Sequence, residues 1–418
     1  MTDLATLTAT EMSAGYRAGH FTPVDVVEAA LARIAALDPK INAVVHIDPV
    51  SARRQAEQAH RAMRAGADSP LVGIPVGVKD IIDVAGAPTT CHSRLLLNNI
   101  AAADAEPVRR LRTAGAIVLC KLATHEFALG GPSFDLPFPP ARNPWNTDYN
   151  PGGSSSGSGA AVAAGFLPIA LGSDTAGSIR HPAGACGVLG LKPTYDAISR
   201  EGTFPLAPSL DHVGPMARDV ADLRAAFLAM AGRGGTTAPG SNRRQEGADT
   251  LRVGYVRHFH AEDIVASDDV ATGLNRVADF FSTSGLRVEE VRLPPLQAFL
   301  AASRVILFHE AFAVHAEWLK TRPESYGELG RLRLEFDQRF SMPQFCLCGV
   351  FRSETSKNFA LRNNWSQIVR YALAQPINAS SRMLPGTRHR KCHVYHPCVS
   401  LGRSQVDVFP ECLAISTR

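Results

Sequence analysis

N-P-G-G-S-S-S-G-S-G-A-A-V-A-A-G-F-L-P-I-A-L-G-S-D-T-A-G-S-I-R-H-P-A, from Asn150 to Ala183, sets two glycine and serine clusters on either side of a short apolar stretch. Gly152 to Gly159 carries no bulky side chain, so the backbone there can turn sharply and bring its amides close to a ligand. Ala160 to Phe166 reads as a short helix of small residues and Leu167 to Leu171 as a buried strand. The second cluster, Asp174-Thr175-Ala176-Gly177-Ser178, stands just before a helix start. Successive backbone N–H groups there would form an anion-binding concavity beside the Ser178 hydroxyl. The expected chemistry looks like that of a serine hydrolase without a histidine.

Upstream, Gly73-Ile74-Pro75-Val76-Gly77-Val78-Lys79-Asp80 delivers a lysine at the end of an apolar, strand-like run, where α/β sheets tend to place catalytic groups. With these motifs in this order, the chain resembles the amidase signature family. The resemblance makes Ser178 the nucleophile, Ser154 the bridging serine and Lys79 the base, and the spacing of 24 residues from one serine to the other matches the family. It further implies an oxyanion hole from the N–H groups of Thr175, Ala176, Gly177 and Ser178, and a cis Gly153-Ser154 peptide bond. Ser155 is expected to hydrogen-bond the bridging serine, and Asp174 with Arg180 to order the nucleophile loop. Arg142-Asn143-Pro144-Trp145 and Ser209-Leu210-Asp211-His212-Val213-Gly214-Pro215 are also similar to family segments.

A lysine base has a clear physical requirement. Free lysine titrates near 10.4, so Lys79 must be kept neutral, for which partial burial and a positive neighbourhood are expected. Ser154 then relays a proton from Ser178, and Ser178 attacks an amide or ester carbonyl to give an acyl-enzyme. No metal or other cofactor enters this scheme. The expected partner is a small-molecule amide, and a homodimer is compatible with the sequence. The alternative within the family is the A subunit of a glutamyl-tRNA amidotransferase, which releases ammonia from glutamine and needs partner subunits. Gly130-Gly131-Pro132 and Phe204-Pro205-Leu206-Ala207-Pro208 look more like stand-alone amidases. An inactive relative with an altered C-terminus is the non-enzyme alternative.

With 418 residues, 45% of them hydrophobic, the chain can bury a large core. The expected fold is α/β: one twisted mixed sheet with helices on both faces. No run of 18 apolar residues and no basic, apolar leader is present, so a cytoplasmic protein without a membrane segment is expected. From Phe345 onward the net charge is +7, leaving −3 for the body, which argues against a nucleic-acid groove. Cys91, Cys120 and Cys186 read as buried thiols in a reducing compartment.

Helices are expected over Pro23 to Leu37, ended by Asp38-Pro39, over Pro49 to Ala65 and over Ala105 to Ala114, with a strand from Ala116 to Leu122. Further helices are expected over Arg180 to Cys186, Asp219 to Met230, Asp268 to Ser284 and Leu296 to Lys320. Strands at Leu251 to Val256 and Leu286 to Leu293 flank the third of these. This gives N-terminal helices over 1–66, a catalytic core over 67–231, a glycine-rich linker over 232–250 and a second part over 251–343. The segment 344–418 departs from the family pattern. It is aperiodic and rich in Arg, Cys, His and Ser, as a shifted reading frame near residue 343 would make it.

Two competing motifs are set aside. Gly153-Ser154-Ser155-Ser156-Gly157 matches G-x-S-x-G, but that elbow needs a strand before it, and Trp145 to Pro151 is loop. His389, Cys392, His393, His396 and Cys398 do not fit the spacing of a common zinc motif. His125 and His212 read as structural; His181, beside the nucleophile, reads as structural or as a substrate contact.

Overall fold

The computed structural model describes residues 3–232, 252–335, 344, 346–349 and 351–352. The chain opens with α1 (Ala9–Ala18), started by a Thr8/Glu11 capping box, and α2 (Pro23–Ile41), started by a Thr22/Asp25 box with proline in the first turn. β1 (Val44–Ile47) and α3 (Pro49–Arg64) follow, then β2 (Pro75–Lys79), α4 (Glu106–Thr113) and β3 (Ile117–Leu122). The central stretch forms α5 (Ser156–Ala163), β4 (Ile169–Ser173), α6 (Arg180–Cys186), β5 (Leu189–Gly190), β6 (Val213–Ala217) and α7 (Val220–Met230). Beyond it lie β7 (Arg252–Tyr255), α8 (Asp268–Thr283), β8 (Arg287–Glu290), α9 (Leu296–Thr321) and α10 (Glu328–Glu335).

Six strands make one mixed sheet in the order β1-β3-β2-β4-β6-β5. β3, β2 and β4 run parallel at its centre, and β1, β6 and β5 complete it through antiparallel pairings. The three central strands are buried along their whole length, as sheets covered on both faces require. Alternation along them assigns side chains to two cores. Val76, Val78, Val118, Ile169 and Leu171 pack with residues of α1, α4 and α7, whereas Ile117, Leu119 and Ala170 pack with α2, α3 and α5. β7 and β8 pair parallel as a separate two-stranded sheet with α8 between them in sequence.

Several boundaries differ from the sequence expectation. α2 runs through Pro39 to Ile41, because a proline in the last turn costs little there. The Asn42 N–H still bonds the Asp38 carbonyl at 2.7 Å as Asn42 turns left-handed. α5 begins at Ser156 rather than Ala160. Gly157 makes this possible, since a Cβ there would lie 2.3 Å from the Ala123 backbone nitrogen. β4 runs to Ser173, two residues beyond the expected strand. α1 and β1 are elements that the sequence pattern does not announce. α1 is fixed from afar, its Ala9 and Thr10 N–H groups donating to Asp222 at 2.6 and 3.0 Å.

Among the described residues α9 is the one helix long and apolar enough to cross a membrane, and much of its apolar surface is buried here, at Phe299, Leu300, Val305, Ile306 and Ala311 among others. The linker expected over 232–250 lies almost wholly outside the described residues. So does most of 344–418, with the histidine and cysteine group from His389 to Cys398.

Candidate active site

β2 ends on Lys79 in the middle of the sheet, and burial of that strand carries the ammonium group out of water: Lys79 is 0% exposed. Its Nζ donates to Ser154 Oγ at 2.7 Å and to Ser173 Oγ at 2.8 Å. Burial draws its pKa from 10.5 down to about 7, against Asp174 and Asp211, whose negative charges push it up. The positive neighbourhood expected from sequence is therefore not the cause. Loss of solvent is, and the nearby carboxylates limit it.

Just past Lys79, Asp80 and Lys121 form a buried ion pair at 3.0 Å. Lys121 Nζ also donates to the Pro88 carbonyl at 2.8 Å and Thr89 Oγ1 at 2.9 Å, while the Thr90 hydroxyl donates to Asp80. With its remaining hydrogen-bonding positions satisfied in this way, the pair pins the 88–93 loop to the strand ends beside the lysine.

The Gly153-Ser154 peptide is cis. The Ser154 carbonyl accepts from His125 N at 3.1 Å and Ser156 N at 2.8 Å, and the Ser155 N–H donates to the Ser178 carbonyl at 3.2 Å. That main-chain bond holds the bridging and nucleophile segments side by side. No hydrogen bond joins the Ser154 and Ser178 hydroxyls, and such contacts often tighten only when substrate is bound. Ser178 is half-buried and stands two residues before α6.

Asp174 organises the turn before the nucleophile. Its carboxylate accepts from Gly177 N at 2.7 Å and Ile179 N at 3.3 Å, and a forked pair with Arg180 spans 2.8 and 2.9 Å. Burial alone would raise this carboxyl, yet the guanidinium beside it holds it well below the usual range. One expectation changes as a result. The Gly177 N–H is committed to Asp174 and is withdrawn from the four amides expected to form the oxyanion hole. Gly177 adopts φ +121, a conformation that favours glycine, to make that bond.

Ser155 also differs from expectation. Its hydroxyl donates to the Ser173 carbonyl at 3.1 Å and accepts the Ser173 N–H at 3.2 Å, tying α5 to the end of β4 instead of contacting Ser154. The Thr175 hydroxyl donates to Asp211 at 2.6 Å. The His181 ring bonds the Gly153 backbone, and the His212 Nδ1 lies 2.6 Å from the Leu210 carbonyl. Burial and the Lys192 charge lower His212 to about 4, so it is neutral at physiological pH.

Ser173 and Asp211 bond Lys79 and Thr175 directly, and sequence reasoning misses both. Ser173 has a visible signal: a hydroxyl residue closing an apolar strand immediately before the Asp174 cluster. For Asp211, nothing local shows that its carboxylate will receive the Leu206 and Ala207 N–H groups and steady Thr175. We expect Asp174→Asn to destabilise the protein by about 3 kcal/mol, because the buried forked charge pair with Arg180 is broken. Urea unfolding measures this, and a loss below about 0.5 kcal/mol would contradict the account.

The Amidase family model matches residues 25–355, and thus runs past residue 343. The A subunit of the glutamyl-tRNA(Gln) amidotransferase from Roseiflexus sp. (strain RS-1) is 40% identical over 348 residues, covering 80% of this chain and 71% of the relative. Among solved structures, an amidase superposes with TM-score 0.77 at 30% identity over 89% of this chain and 84% of its own. The native peptide amidase from Stenotrophomonas maltophilia gives TM-score 0.68 at 31% identity over 84% and 79%. The chain belongs to the amidase signature family.

Proposed function

We propose that the protein is an amidohydrolase that cleaves a linear carboxamide, or an ester, through an acyl-enzyme on Ser178. The observation that carries this reading is the fully buried Lys79, bonded to Ser154 and held near neutrality at physiological pH. A neutral amine has two N–H bonds and one lone pair. Charged, Nζ donates to both hydroxyls; once neutral, it keeps the N–H bond to Ser173 and its lone pair accepts the Ser154 proton instead.

Lys79 takes the Ser154 proton while Ser154 takes that of Ser178, whose Oγ bonds to the carbonyl carbon. The oxyanion forms beside the Thr175, Ala176 and Ser178 N–H groups. When it collapses, the C–N bond breaks and the departing amine collects the proton. Water repeats the sequence and releases the acid. A cytoplasmic location fits the free, buried thiols of Cys91, Cys120 and Cys186.

A second reading stands on the similarity to amidotransferase A subunits: release of ammonia from glutamine within a larger assembly. An alkyl fluorophosphonate followed by intact mass and peptide mapping tests the shared site first. Attachment at Ser178, with a rate that rises with pH through about 7, is expected from the Lys79 value. Attachment elsewhere, or a rate flat between about pH 5 and 9, would remove the Lys79 mechanism. Hydrolysis of simple carboxamides by the isolated chain then favours the amidase reading. Glutaminase activity seen only with added partner subunits favours the other.

A further inference from the structure

His92 is buried, has no place in the proton relay, and sits at φ +59, in the left-handed region where histidine, asparagine and aspartate are the enriched side chains. Its ring is engaged at both nitrogens. The Thr124 N–H donates to Nδ1 at 3.3 Å, so Nδ1 carries no proton, and Nε2 donates to the Phe138 carbonyl at 3.1 Å. The Phe138 ring packs edge-on against the imidazole at 5.0 Å. The backbone of His92 is tied in turn to the lysine strand, because its N–H donates to Thr90 Oγ1 at 3.1 Å and that hydroxyl donates to Asp80.

One step beyond Thr124, the His125 N–H holds the Ser154 carbonyl at 3.1 Å. His92 thus stands between the segment that carries Lys79 and the turn that grips Ser154. We propose that His92 is a positioning residue, whose neutral imidazole, through its bond to the Thr124 N–H, fixes Ser154 at bonding distance from Lys79. Asp80 and His125 face it, Glu126, raised to about 7 by burial, lines the same cavity, and burial keeps the His92 pKa below the ordinary histidine value, consistent with the neutral ring the two bonds require.

The proposal rests on the Lys79–Ser154–Ser178 reading, and its test separates the two. In His92→Asn the amide oxygen stands where Nδ1 stood, and asparagine tolerates the left-handed backbone, so the Thr124 bond survives. In His92→Gln the amide reaches the Nε2 position and the Thr124 bond is lost. The readouts are the rate of fluorophosphonate attachment at Ser178 against pH, and thermal unfolding, on the full chain. Asn is expected to label within about threefold of wild type, and Gln about tenfold more slowly, the scale of a weakened proton transfer. The pH midpoint of the Gln variant should also move to the alkaline side, because a loosened Lys79 regains water. Wild type that is not labelled at Ser178 refutes the site reading itself. Labelled wild type with a Gln variant of unchanged rate and midpoint overturns the positioning role. So does slowing of both variants in proportion to lost thermal stability. Should the Gln variant not fold, a wild-type midpoint in Asn supports the proposal and a shifted one overturns it.

Discussion

Ser178→Ala is expected to lower hydrolysis by about a millionfold, the scale seen when a serine nucleophile is removed from a unit that works only as a whole. Fluorophosphonate attachment should disappear with it. The same substitution should leave the fold in place. What the Ser178 segment contributes to the structure is a carbonyl that accepts the Ser155 N–H at 3.2 Å, and alanine keeps that carbonyl. The residue is half-buried, and its hydroxyl has no hydrogen bond to lose among the described residues, so the unfolding free energy should stay within about 0.5 kcal/mol of wild type. Activity and stability therefore separate at this position. Residual turnover above about one part in a thousand, with the fold intact, would show that another group attacks the carbonyl.

What can be read in the sequence is the part set by local chemistry. The Gly-Ser clusters, the lysine at the end of an apolar run and the 24-residue spacing mark Lys79, Ser154 and Ser178 before any coordinates are known. The unbroken apolar runs Val76-Gly77-Val78, Ile117 to Cys120 and Ile169-Ala170-Leu171 likewise call for a sheet covered on both faces. What escapes depends on partners distant in sequence. α1 is fixed by Asp222, more than two hundred residues on, and no window around Ala9 contains that carboxylate. Ser155 turns away from Ser154 because the end of β4 offers it both a donor and an acceptor in Ser173. Of the two causes expected for the lysine shift, burial holds and the positive neighbourhood fails, for the same reason. Composition shows that basic residues exist, but only the fold shows that the charges reaching Lys79 belong to Asp174 and Asp211.

Lys79→Met carries the other large effect and splits into two measurements that respond to the same property. Loss of the base should cost about 10³- to 10⁴-fold in rate and abolish the rise of labelling through pH 7. Stability should move the opposite way. The buried amine titrates at about 7 in the folded chain against 10.5 for an ordinary lysine, so at pH 7 the fold bears on the order of 5 kcal/mol for keeping it out of water. Methionine fills a similar volume without that cost. Against this, Ser154 and Ser173 each lose a partner, at roughly 1 kcal/mol or somewhat more apiece, so the variant should be more stable than wild type by about 1 to 3 kcal/mol near pH 7. Between about 7 and 10.5 the unfolded wild-type chain binds a proton that the folded chain does not, and wild-type stability rises with pH across that window. The variant has no such group, so its advantage should shrink steadily and be gone by about pH 10. Urea unfolding of both proteins at about pH 7 and pH 9.5 decides it. A stability difference that does not change with pH would mean that Lys79 keeps its ordinary pKa in the fold, and a lysine protonated at neutral pH takes no proton from Ser154.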